Sequence, residues 1–305
     1  MTADSLEVAR RRMSVRDSFR SLGDVDVIPT ANPTIGIHVL LWKRDYREAI
    51  WAIASILAQT EPGPSVTIHI NGQLPETALE TLQEIVIGAT VLTDDLASEQ
   101  IRSVLADARL DRLLHFRDRD PLARKVIDVL ALATTPTILY FDSDVLFFAR
   151  PVELFDSVSQ SASAAALRFM HDTNQSTVIS VETARSLGLS MMPMLNSGLL
   201  RVHRDSIDLE KFEHWLGIDQ VANGGYFTEQ TLWALMAASV GATPLSSRYV
   251  LGDSPPCDAA PIAIHYTSPT RALFYDVGIP TLLANGIVER LRSRSTTPLT
   301  GPTCP

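Results

Sequence analysis

The chain has 305 residues, 46% of them hydrophobic, with 26 lysines and arginines against 35 aspartates and glutamates for a net charge of -9. That balance excludes general nucleic-acid binding, which needs a surplus of cations to neutralise phosphates, and the length is ample for one large α/β domain with a sizeable core. Cys257 and Cys304 are the only cysteines, too few for a disulfide framework or a cysteine zinc site; no apolar run approaches the roughly 20 residues that span a bilayer, and no signal-peptide core opens the chain, so a cytoplasmic location is expected.

Residues 1–32 read as a partly flexible leader carrying Arg10, Arg11, Arg12, Arg16 and Arg20, expected as a solvated helix or a frayed tail, with contact to an acidic membrane surface as the alternative. Residues 35–42 are almost continuously apolar, which suits a strand buried on both faces. Residues 45–59 then place Ala49, Ile50, Ile53, Ile56 and Leu57 on one helical face. A second strand over 66–70 ends at Asn71-Gly72, a helix covers 75–87, a short strand 90–92, and further helices 96–108 and 121–132. Strand alternating with helix predicts a parallel sheet with right-handed crossovers, whose ligand sites lie beyond the carboxyl ends of the strands.

At such an end stands the stretch TILYFDSDVLFFARP, residues 137–151. Apolar runs bracket Asp142 and Asp144, and in an extended segment residues i and i+2 point to the same side, so both carboxylates are expected to converge on one divalent cation. No glycine-rich phosphate loop follows the first strand, so a metal, helped by Arg124 or Lys125, would have to hold any nucleotide phosphates.

Beyond residue 151 the sequence predicts a short helix over 152–157, a strand over 164–170, a helix near 181–187 and a strand over 195–202 interrupted at Asn196-Ser197-Gly198, where a bare backbone lets a ligand approach. A helix covers 206–215, and another runs from Thr228, its expected N-cap, to residue 238. A late strand spans 263–266, and residues 293–305, rich in serine, threonine and proline, are expected to be a disordered tail.

The ordered set of a basic residue at 125, YFDSDVLFFARP, Leu195-Asn196-Ser197-Gly198-Leu199, Glu229-Gln230 and His265-Tyr266 resembles the GT-A glycosyltransferases, most of all the glycogenin and bacterial lipopolysaccharide galactosyltransferase group. The resemblance implies a single Rossmann-like GT-A domain over 33–292, with a nucleotide-binding half (33–150) and an acceptor and catalytic half (151–292). It further implies Mn²⁺ or Mg²⁺ on Asp142, Asp144 and His265, bridging the diphosphate of a donor, a UDP-sugar in the named relatives. Lys125 and Arg271 would contact the donor, Arg271 standing where relatives usually carry lysine. Ser143, Ser197 and Gly198 would line the substrate site. Asn196, Glu229 and Gln230 would serve catalysis, Glu229 replacing the usual aspartate. His38 and Asn71 would meet the base and ribose. Retention of anomeric configuration is implied, with inversion through Glu229 as base the other possibility; the acceptor is unspecified. Two rival readings are a haloacid dehalogenase-type phosphatase with Asp142 as nucleophile and a non-catalytic nucleotide-sugar binder.

Overall fold

The computed structural model describes residues 3–60, 63–155, 166–254 and 259–295. Both cysteines, residues 156–157 and 164–165 of two expected elements, and residues 296–305 of the expected tail lie outside them.

The continuous apolar runs build the strands at the centre. These are β1 (Ile35–Trp42), β2 (Ser65–Asn71), β3 (Thr90–Leu92) and β4 (Thr137–Asp142), followed by β5 (Val145–Phe147), β6 (Leu167–His171), β7 (Leu195–His203), β8 (Thr243–Pro244), β9 (Tyr249–Leu251) and β10 (Ala263–His265). Seven form one sheet in the order β3-β2-β1-β4-β7-β6-β8, in which β7 alone runs against the others. The fold is thus α/β with a mostly parallel, helix-flanked sheet, as expected. Because β4 pairs with β7, the two sequence halves share a single sheet.

Alternation along the strands feeds two cores. Leu139 and Phe141 of β4 face a cluster that includes helix Tyr46–Leu57, where every residue except Arg47 is buried; Ile138 and Tyr140 face another that includes helix Thr228–Val240. Helix Asp111–Arg119 was not expected: its sequence is mostly charged, and only Leu113, Phe116 and Arg117 are buried. The expected helix over 121–132 is a 3₁₀ turn, Pro121–Lys125, followed by helix Ile127–Leu132.

The ends of the chain depart from expectation. Helix Ala3–Asp17 leads into a 3₁₀ turn, Ser18–Leu22, whose Phe19 and Leu22 enter the core, as do Val25 and Val27. Arg12 reaches Asp276 at 2.5 Å, and the Trp51 indole donates to the Arg16 carbonyl. Apolar anchors beyond the arginines therefore fold this leader onto the domain. At the other end, helix Ile287–Ser295 runs into the expected tail, held by buried Ile287 and Leu291. Among the described residues no helix is long and apolar enough to cross a membrane.

Candidate metal and substrate site

The site forms where the large sheet meets a small one, ordered β5-β10-β9. Asp142 is the last residue of β4, and Ser143 and Asp144 form the turn into β5. The carboxylates converge through that turn and not through extended backbone, a correction to the spacing argument. β10 pairs antiparallel with β5, with His265 opposite Val145, and the Tyr266 amide donates to the Asp144 carbonyl at 3.0 Å. This pairing carries His265 to the aspartates from more than a hundred residues away. Its Nε2 lies 3.2 Å from Asp144 Oδ1 and 3.7 Å from Asp142 Oδ2, and one ligand atom from each residue falls within 4.8 Å of the others.

Two cations balance the carboxylates. Lys125 Nζ sits 2.8 Å from both oxygens of Asp142, which also accepts from the Tyr140 hydroxyl; Arg271 Nη2 donates to Asp144 at 2.5 Å and its Nη1 lies 3.6 Å from Asp45. Burial alone would lower the Lys125 pKa, but Asp142 and Glu229 raise it above the usual lysine value. Burial alone would likewise raise Asp144; His265 and Arg271 outweigh it and lower the group. Burial pushes Asp45 up to about 6 despite Arg271.

The opposite wall comes from β7 and the first turn of helix Thr228–Val240. β7 is unbroken, and a register shift against β6 leaves a bulge: Phe169 pairs with Leu200 and Met170 with Asn196. The amide of Asn196 meets His265 Nδ1 at 2.9 Å through Oδ1, which also accepts the Gly198 N–H at 3.0 Å. A Cβ on Gly198 would stand 2.1 Å from His265 Cε1, so only glycine leaves the imidazole its place. Ser197 donates through Oγ to Glu229 Oε2 at 2.9 Å, and its N–H donates to Gln230 Oε1 at 3.1 Å. Thr228 is not the N-cap: Phe227 takes that position, and the Thr228 hydroxyl donates to the Val221 carbonyl. Glu229 is 2% exposed, and burial pushes its carboxyl up to about 7, with Lys125 opposing; among the described residues its Oε1 has no hydrogen-bond partner.

These groups line a cleft of about 520 Å³ beyond the carboxyl ends of the strands. It brings together Lys125, Asp142, Ser143, Asp144, Asn196, Ser197, Gly198, Glu229, Gln230, His265 and Arg271. His38 is elsewhere: it lies mid-strand, 2% exposed, with Nδ1 2.9 Å from His69 Nε2, because β1 runs on to Trp42, so that Leu40 and Trp42, with Asp45 in the turn after the strand, line the cleft instead. Asn71 closes β2 and donates to the Pro121 carbonyl, bracing a lining residue without lining the cleft itself. Sequence reasoning missed Asp45, Tyr140 and Asp172. Tyr140 was within reach, since it stands two residues before Asp142 on the same strand face.

The donor set fits a divalent cation. Two carboxylates and an imidazole converge, and Gly198 clears space for the ring.

No protein-family model matches the chain, and no curated protein sequence does. Solved structures share its fold. Mouse xyloside xylosyltransferase 1, in its apo form, is 13% identical with a TM-score of 0.53, over 78% of this chain and 99% of that one. The galactosyltransferase LgtC, in complex with donor and acceptor sugar analogues, is 15% identical with a TM-score of 0.51, over 87% of this chain and 98% of that one. The glycosyltransferase GlyE of Streptococcus pneumoniae TIGR4 is 14% identical with a TM-score of 0.52, over 86% of this chain and 64% of that one. The chain has the GT-A fold of these glycosyltransferases.

Proposed function

We propose that this protein is a metal-dependent glycosyltransferase that moves a sugar from a nucleoside diphosphate sugar to an acceptor. One observation carries the reading: Asp142, Asp144 and His265 converge in a cleft whose facing wall presents Asn196, Ser197, Glu229 and Gln230. The shared fold supports it. Asp142, Asp144 and His265 would hold the cation, and the nitrogen ligand favours Mn²⁺ over Mg²⁺, which prefers oxygen. Bound there, the cation would supply Lewis-acid neutralisation of a leaving diphosphate. Lys125 and Arg271, paired with Asp142 and Asp144, would turn toward donor phosphates. Gly198, cleared for the His265 ring, and Gln230, held at Oε1 by Ser197 and at Nε2 by the Ser176 carbonyl and Asp172, would shape the wall that meets the donor sugar.

Anomeric retention is the stereochemistry we assign, because Glu229 is almost fully buried and its Oε2 is engaged by Ser197, poor access for a base that must deprotonate an incoming acceptor. A UDP-sugar is the donor of this reading, and the cytoplasm its compartment. The phosphatase alternative fits less well: the solved structures named above that share this fold are glycosyltransferases. Incubation with Mn²⁺ and a panel of nucleotide sugars tests the proposal. Slow release of nucleoside diphosphate from one donor, abolished by chelation, is expected; inertness toward every donor, or vanadate-sensitive phosphatase activity lost in Asp142→Asn, contradicts it.

A further inference from the structure

Asp172 follows the last residue of β6, is 6% exposed, and is fixed by its own N–H donating to the Met194 carbonyl at 2.7 Å. Its carboxylate takes hydrogen bonds from three neutral donors: the Asn174 N–H at 3.1 Å, Asn196 Nδ2 at 3.1 Å and Gln230 Nε2 at 3.4 Å. A buried carboxylate is costly, and this one, at the wall of the cleft, makes no hydrogen bond or ion pair to Asp142, Asp144 or His265 among the described residues.

The chemistry of its partners fixes a direction. A carboxylate only accepts and a backbone N–H only donates, so between Asp172 and the Gly198 N–H the Asn196 amide has a single orientation, with Nδ2 toward Asp172 and Oδ1 toward Gly198. Oδ1 then faces His265 Nδ1 at 2.9 Å, and an amide oxygen only accepts, so Nδ1 carries the proton. Nε2 is left as the ring atom turned toward Asp142 and Asp144. Turned over, the amide would set Nδ2 against the imidazole, and the proton would move to Nε2, where it blocks a cation. The same Asp172 Oδ2 that holds Asn196 also takes Gln230 Nε2, which donates to the Ser176 carbonyl at 2.8 Å as well, and these two acceptors leave Gln230 Oε1 for Ser197.

We propose that Asp172 is a positioning residue that, through Asn196, sets the tautomer in which His265 can ligate a divalent cation, and through Gln230 ties that setting to the opposite wall of the cleft. The proposal rests on the metal site of the preceding section, deepening it by two residues that would not touch the ion.

The test is Mn²⁺ affinity, read as free Mn²⁺ by electron paramagnetic resonance, for wild type, Asp172→Ala, Asn196→Ala and the double variant. Loss of an outer partner of a ligating histidine lowers metal affinity by roughly 10–100-fold. Asp172→Ala is expected in that range, and the double variant is expected to bind no more weakly than Asn196→Ala alone. Asp172→Asn, which can still accept from Asn196, is expected between Asp172→Ala and wild type. In ¹⁵N NMR of the Mg²⁺-loaded protein, His265 should show a protonated Nδ1 in wild type and a tautomer mixture in Asp172→Ala. A folded Asp172→Ala that binds Mn²⁺ like wild type, or whose loss adds in full to that of Asn196→Ala, overturns the relay. Wild type that binds no divalent cation overturns the metal site and the relay with it.

Discussion

Asp144 is 4% exposed and contacts both His265 and Arg271, so Asp144→Asn keeps shape while weakening a ligand; Mn²⁺ affinity should fall by about 100-fold or more, beyond the loss of an outer partner, with the circular dichroism unchanged. Gly198→Ala should displace the His265 ring, because its Cβ would stand 2.1 Å from Cε1, and native metal affinity in that variant would disprove the steric argument. Glu229 gives a pH signature. Burial raises its carboxyl from 4.5 to about 7, so the folded protein holds a proton that the unfolded chain releases earlier, and rising pH through that window lowers stability. Glu229→Gln, which can still accept from Ser197, should therefore be more stable than wild type at pH 8, with the gap closing toward pH 4.5 in urea titrations. Asp142 and Asp144 were legible in the sequence because apolar runs bracket them. Asp172 was not, since its meaning lies in Asn196 and Gln230, 24 and 58 residues away.

Elements decide whether those residues meet. Helix Asp111–Arg119 and helix Ile127–Leu132 are joined by Arg117 and Asp128, both 1% exposed, in a two-pronged pair at 2.6 and 2.8 Å. The pair brackets the turn that carries Lys125, and removing Asp128 leaves the buried Arg117 only Ser98 and a longer 3.8 Å approach to Asp94. Asp128→Ala should cost about 3–5 kcal/mol of unfolding free energy by urea titration, whereas Arg12→Ala, breaking the far more exposed pair with Asp276, should cost less than about 1 kcal/mol. The leading helix was readable as a helix, but its docking was not, because arginines dominate it and the anchors Phe19 and Leu22 lie after it. Leu22→Ala should cost about 2–5 kcal/mol if that segment belongs to the core. The missed helix over Asp111–Arg119 shows the converse: buried Leu113 and Phe116, together with the Arg117–Asp128 pair, hold a segment whose sequence reads as surface.

At the scale of the molecule, the alternation of strand and helix before residue 142 was enough to place a site at the carboxyl end of β4. What sequence patterning could not supply was the reversed β7 and the separate β5-β10-β9 sheet, whose non-local pairing delivers His265; only the family resemblance pointed there. The result is a cleft with a carboxylate-imidazole set on one wall and amides and a buried glutamate on the other. The most direct test of its assignment is a thermal-shift titration with Mn²⁺ and a nucleotide-sugar panel, since a ligand that binds only the folded state raises apparent stability. Under this assignment, one donor raises the melting temperature of wild type only with Mn²⁺ present and leaves Asp144→Asn and His265→Ala unmoved. Equal shifts in wild type and both variants, or no shift in wild type with any donor, would contradict it.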